Sequence, residues 1–183
     1  MKVGTLRAGR TIRSALFALA SISKGAPAYN PPTGCTDISQ VPVTKNIEFG
    51  AGIEAIFVQF SVSPAAGCAD CHTTAGGPAG GLNLDPSDSD PFAVPPYAGI
   101  VNVSSDEVPQ LDYVVPNRPE LSYLFMKINC DNPPHGERMP LGEVELFTPE
   151  QQALIYDWIA EGATVEPTNS IFRGTFDHRG FDQ

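Results

Sequence analysis

The chain has 183 residues, of which 42% are apolar and only 17% charged, so neither a disordered polyelectrolyte nor a membrane-embedded protein fits. Acids outnumber bases by 21 to 11, and five of those bases (Lys2, Arg7, Arg10, Arg13, Lys24) fall within the first 28 positions, which hold no acid. The remainder carries six bases against all 21 acids, which argues against nucleic acid, since phosphate contacts need Lys and Arg.

Residues 1–28 have the layout of an export signal. A basic stretch reaches Arg13, a short apolar run follows over 15–22, and small-x-small sites end at Ala20 and Ala28. The apolar run is too short to span a bilayer, so no membrane span is expected in the mature chain. A basic tail or an amphipathic surface helix is the plainer alternative. Export would place the protein in the periplasm or another oxidising compartment.

Residues 29–46 are Pro-rich and polar and read as an extended lead-in. The first periodic segment follows, "IEFGAGIEAIFVQF". Ile53, Ile56, Phe57 and Phe60 share one helical face, Gly50 and Gly52 weaken its start, and Pro64 ends it. Next comes "GCADCHTTAGG", with Cys68, Cys71 and His72 inside five residues.

Residues 73–116 show no helical period. "GIVNV" (99–103) and "DYVV" (112–115) could pair as a small β-hairpin. The acidic run at 85–90 lacks the glycine and distal glutamate of an EF-hand loop and reads as a solvated loop. In "NRPELSYLFMKI", Asn117 can cap a second helix whose stripe is Leu121, Leu124, Phe125 and Ile128. A Pro- and Gly-rich loop over 129–146 carries Cys130, His135 and Met139. A third helix opens on Thr148-Pro149-Glu150-Gln151, a capping box, and carries Leu154, Ile155, Trp158 and Ile159 towards Gly162. The tail, 164–183, holds Ile171, Phe172, Phe176 and Phe181, more apolar than a free tail needs. It suits docking on the body or on a partner.

Cys-x-x-Cys-His is the attachment pattern of c-type haem. Two thiols three positions apart can each add to one porphyrin vinyl group, and the adjacent imidazole then reaches the iron. Zinc would want four ligands in two paired clusters. Cys35, Cys130, His135 and His178 are isolated in the sequence instead. A redox dithiol would want a βαβ frame, which is missing, and would leave His72 without a role. For a sixth iron ligand the candidates are Met139, presented by a loop beside Pro140, and His135 four positions earlier. Met126 reads as side packing on the second helix, and an open sixth position is the further alternative.

The order of these pieces resembles a class I c-type cytochrome domain, nearest the planctomycete-type cytochrome c domains. The resemblance runs over roughly 47–163: "IEAIF", Cys-x-x-Cys-His, "YAGIVNV", "VVPNRPELSYLFMKI", "GERMPLGE" and "LFTPEQQALIYDWIAEGA". It implies a mainly α fold with three main helices around one haem c. Cys68 and Cys71 would form the thioethers, His72 would be the proximal and Met139 the distal iron ligand. Trp158 and Tyr123 would pack near the haem edge. The chain differs in having "SVSPAAG" before the cysteine pair and Asn117 where relatives often have Gly.

What this implies is an exported mono-haem electron carrier, or the carrier subunit of a larger complex, rather than an enzyme. Its acidic body would suit a redox partner with a basic docking face. A peroxide- or gas-binding haem protein with an open sixth site, and a haem-bearing structural subunit, are the alternatives. In an exported protein the remaining Cys35 and Cys130 are expected to pair, unless they are two unrelated thiols. Such a bridge would tie the lead-in to the loop carrying Met139 and limit that loop's movement.

Overall fold

A computed structural model describes residues 31–59, 68–74, 78–87, 95–141 and 147–166. The basic leader, Phe60, Pro64 and Gly67 ahead of Cys68, residues 88–90 of the acidic run, and the tail beyond 166 with its aromatic residues and His178 lie outside them. The described chain is mainly helical with little strand. No helix among the described residues is long and apolar enough to cross a membrane.

The first helical segment has two parts. Phe49–Glu54 is wound as a π-helix and runs into α1, Ala55–Gln59. Gly50 and Gly52 sit where the winding is loosest, and a Cβ on Gly52 would press on Ile47 at 3.1 Å. The stripe of Ile53, Ile56 and Phe57 is buried as its spacing predicts. The wide winding also brings Phe49 into the core, against Trp158 and Tyr97 with ring centroids 5.3 Å away in each case.

Two sequence expectations need correction. The 99–103 and 112–115 runs do not form a hairpin. Gly99 and Ile100 belong to α3, Pro96–Ile100. What pairs beyond it are isolated bridges, Val101 with Val114 and Ser104 with Asp112. A proline at the first turn and Tyr97–Val101 bonding favour a helical turn before any strand can start.

The second helix is also shorter than its periodicity suggests. Asn117 does not cap it but takes a left-handed φ of 64°. A 3₁₀ turn follows over Pro119–Leu121, and α4 proper is Tyr123–Asn129. The break falls at Ser122, whose buried hydroxyl serves the backbone of Val115 and Arg118 instead of continuing the helix. Leu121 is therefore left exposed, while Leu124, Phe125 and Ile128 are buried.

The last helix, α5, spans Pro149–Ala160 and starts as expected. Thr148 accepts from Gln151 N–H, and the Gln151 side chain bonds back to Thr148 N–H. Ile155, Trp158 and Ile159 are buried, and Gly162 ends the helix at φ 108°.

The lead-in is part of the body. Ile38 is in the core, Asp157 accepts from Thr44 N–H at 2.7 Å, and Glu161 holds Lys45 and the Asn46 and Ile47 N–H groups. Cys35 and Cys130 are at disulfide distance, with S–S 2.02 Å. On either side, Thr36 N–H donates to Asn129 O and Asp131 N–H to Gly34 O.

Candidate functional site

Helix α2, Cys68–Cys71, is one turn long, and His72 N–H closes it onto Cys68 O at 2.9 Å. Residues four apart lie on one helix face, so Cys68 and His72 stand one above the other. Both line an open cleft of about 190 Å³. Cys71 is exposed beside them. Cys68 and Cys71 are both free thiols, and burial pushes the Cys68 thiol up to about 11.

The cleft wall is largely apolar. Phe57 comes from α1, Leu82 and Leu84 from the loop after His72, Leu124 and Ile128 from α4, and Phe147 from just before α5. Met139, 67 positions beyond His72, lies on the same cleft. The structure thus brings Cys68, His72 and Met139 together. His135 is exposed in the loop, where its carbonyl accepts from Lys127 Nζ at 3.2 Å. Met126, half-buried on α4, is not on the cleft wall.

His72 is oriented by its surroundings. Its Nδ1 is 2.8 Å from Ala79 O. A carbonyl has no proton to give, so Nδ1 carries the hydrogen and Nε2 keeps its lone pair. Burial, foremost, holds the imidazole below its usual value, which keeps it neutral at neutral pH. The Ala79 carbonyl is itself held: Tyr113 Oη donates to the next carbonyl, Gly80 O, at 2.7 Å. Gly80 and Gly81 have φ of 61° and 71°, so this tight segment needs residues without a Cβ.

One end of the cleft is polar. Tyr123 Oη donates to Glu107 Oε2 at 2.8 Å, and Lys127 Nζ lies 3.7 Å from the same carboxylate. Lys127 is buried, with its ammonium 5.8 Å from the Tyr123 ring centroid. Burial and the Glu107 contact drive the Tyr123 hydroxyl well above the usual tyrosine range. Glu107, Lys127 and Tyr113 were not singled out by sequence. A lysine beside the Leu124 and Ile128 stripe was the one available signal.

Trp158 is buried in the core, where it donates to Thr164 O at 2.9 Å, while Tyr123, also buried, lines the cleft. The Phe49 ring, brought inward by the π-helical turn, packs against Trp158 at a tilt of 44°.

The donor set suits haem. An apolar cleft far larger than a metal ion presents a neutral imidazole whose Nδ1 is bonded to Ala79 O, a thioether and the half-buried Cys68 thiol, with the exposed Cys71 thiol three positions on. Among the described residues no group of three or more His, Cys, Asp or Glu is gathered for a metal ion alone. Comparison with known proteins found no matching family model, no similar curated protein and no similar solved structure.

Proposed function

We propose that the protein is an exported, mono-haem c-type cytochrome of class I cytochrome c-like fold that passes single electrons between redox partners. Cys68 and Cys71 would hold haem c covalently, and His72 and Met139 would be its iron ligands. The observation that carries this reading is the convergence of Met139 on the same apolar cleft as Cys68 and His72, although it lies 67 positions beyond His72.

When bound, the haem supplies the one-electron chemistry. The chain's residues do the rest. His72 is held by Ala79 O in the tautomer that leaves Nε2 for iron, and that bond raises its basicity as a ligand. Met139 offers a neutral thioether, which favours the reduced state over a second imidazole. The leucines, Phe57 and Phe147 exclude water. No nucleophile–base pair is needed, so the role is that of a carrier or a carrier subunit rather than an enzyme.

The partner would present a basic face. Each Lys and Arg among the described residues is already paired with a carboxylate: Lys45–Glu161, Arg118–Glu120, Lys127–Glu107 and Arg138–Asp131. Exposed acids such as Asp106 then set the field near the cleft.

The test is a pyridine haemochrome spectrum with the intact mass of protein exported from a host with a cytochrome c maturation system. One haem bound through two thioethers is expected. A mass lacking haem, with both thiols of the pair free, would sink the proposal. The ferric spectrum then separates the carrier from a gas- or peroxide-binding protein. A methionine–iron band near the red edge, lost in Met139→Ala, marks the carrier, and a high-spin resting state marks the open site.

A further inference from the structure

Met139 sits on a loop, and a loop thioether reaches the same point each time only if its backbone is held. After α4 the chain doubles back over that helix's last turn. Met139 N–H donates to Lys127 O at 2.7 Å. One position earlier the Arg138 side chain, 13% exposed, makes three contacts. Nε donates to Ile128 O at 3.0 Å, Nη1 to Asp131 Oδ1 at 2.8 Å, and Nη2 to Thr36 Oγ1 at 2.7 Å.

Those acceptors lie on three different segments: the end of α4, the start of the methionine loop, and the lead-in strap. Thr36 adjoins Cys35, so the strap is fastened to Cys130 at the same place. The guanidinium is thus the joint between the strap and the residue next to Met139.

We propose that Arg138 is a positioning residue for Met139, locking the methionine loop to the disulfide-bound strap so that the thioether stays in the cleft. This rests on the haem reading above. A planar fork can serve three acceptors at fixed angles, which the single ammonium of a lysine cannot. Without the fork, Met139 keeps its backbone bond to Lys127 and the start of the loop stays bridged to the strap through Cys130, but the segment beside Met139 loses its own tie to Thr36. The closed arrangement is then less populated, and an outside ligand meets the iron more often.

The readout is imidazole affinity of the ferric holoprotein, followed through loss of the methionine–iron band. Arg138→Gln is expected to tighten imidazole binding by about tenfold or more, the scale of losing hydrogen bonds to a charged group. Thr36→Val, which removes one of the three acceptors, is expected to tighten it by about threefold. Glu161→Gln is the control, because Glu161 fastens residues 45–47 away from the loop. It should stay within about twofold of wild type, because none of its partners belongs to the methionine loop.

Wild-type affinity in both Arg138→Gln and Thr36→Val overturns the proposal. So does equal tightening in Glu161→Gln, which would mean general loosening. If Arg138→Gln does not fold, Thr36→Val against Glu161→Gln decides. A wild-type holoprotein without the methionine band fails before imidazole is added. That outcome overturns the ligand reading itself, and the role of Arg138 with it.

Discussion

His72 Nδ1 and the carbonyl of Ala79, seven positions apart in sequence, are 2.8 Å apart, and that one bond decides which imidazole nitrogen keeps its lone pair. Tyr113 stands behind it through Gly80 O. Tyr113→Phe should let the Ala79 carbonyl drift, weaken the bond and lower the basicity of His72. A less basic ligand favours ferrous iron, so the reduction potential of the holoprotein should rise by a few tens of millivolts, ~1 kcal/mol being about 40 mV for one electron. Redox titration checks this, and an unchanged or lower potential would remove Tyr113 from the account.

The two thiols of the pair should react unequally in the haem-free chain. Cys71 is exposed, whereas Cys68 is half-buried with its thiol pushed up to about 11. The thiolate is the reacting species, so at pH 8 iodoacetamide should label Cys71 first, and Cys68 should lag by about tenfold or more. The lag should shrink as pH rises towards 11. Equal rates at pH 8 would show that the cleft is not closed over Cys68 without haem.

The Cys35–Cys130 bridge closes a sequence separation of 95 residues. In the chain-entropy model such a loop contributes about 4–5 kcal/mol through the unfolded state, and removal of native bridges costs about 2–5 kcal/mol. The double variant Cys35→Ser/Cys130→Ser should lower the urea midpoint accordingly. Thiol counting on unfolded, unreduced holoprotein should find neither cysteine free, and two free thiols there would refute the bridge.

Asp157 gives a pH dependence of defined sign. Burial, foremost, raises it above the usual carboxylate value, although Thr44 N–H pulls the other way. A raised folded value means that its contribution to stability is present below the unfolded value near 3.8 and is lost as pH rises through the folded one. Asp157→Asn keeps an oxygen for Thr44 N–H and never ionises. Its stability relative to wild type should therefore improve between pH 4 and pH 7. Urea midpoints at the two pH values measure this, and a constant gap would contradict the burial effect.

Electron transfer with the native partner should slow as salt is added, because an acidic face meeting a basic one associates faster at low ionic strength. Stopped-flow rates across a range of ionic strength test it. Salt-independent rates would end the case for a basic docking face.

Residues close together in sequence carried most of what could be read without coordinates. The thiol–thiol–imidazole spacing at 68–72 needs only one helical turn, and the capping box at Thr148 needs only four residues. The Ile53–Ile56–Phe57 stripe is likewise a local period, and its burial followed. Asn117 misled because a cap and a left-handed turn favour the same residue type, and the choice fell to Ser122, which bonds to Val115 across the break. The apparent hairpin misled because β-prone side chains at 99–103 follow a Pro-initiated helical turn.

By itself, then, the sequence determined the thiol–thiol–imidazole spacing, the acidic balance and the helix that starts at Pro149, which follow from composition and from neighbouring residues. Only the tertiary structure decided that Met139, rather than His135, shares a cleft with His72. It alone placed Lys127 and Glu107 at the cleft's polar end and joined Arg138 to Thr36. Those pairings span long stretches of chain, and no local period encodes them. They arise because burying Phe49, Ile128 and Trp158 in one core forces the strap and the methionine loop to close over the last turn of α4.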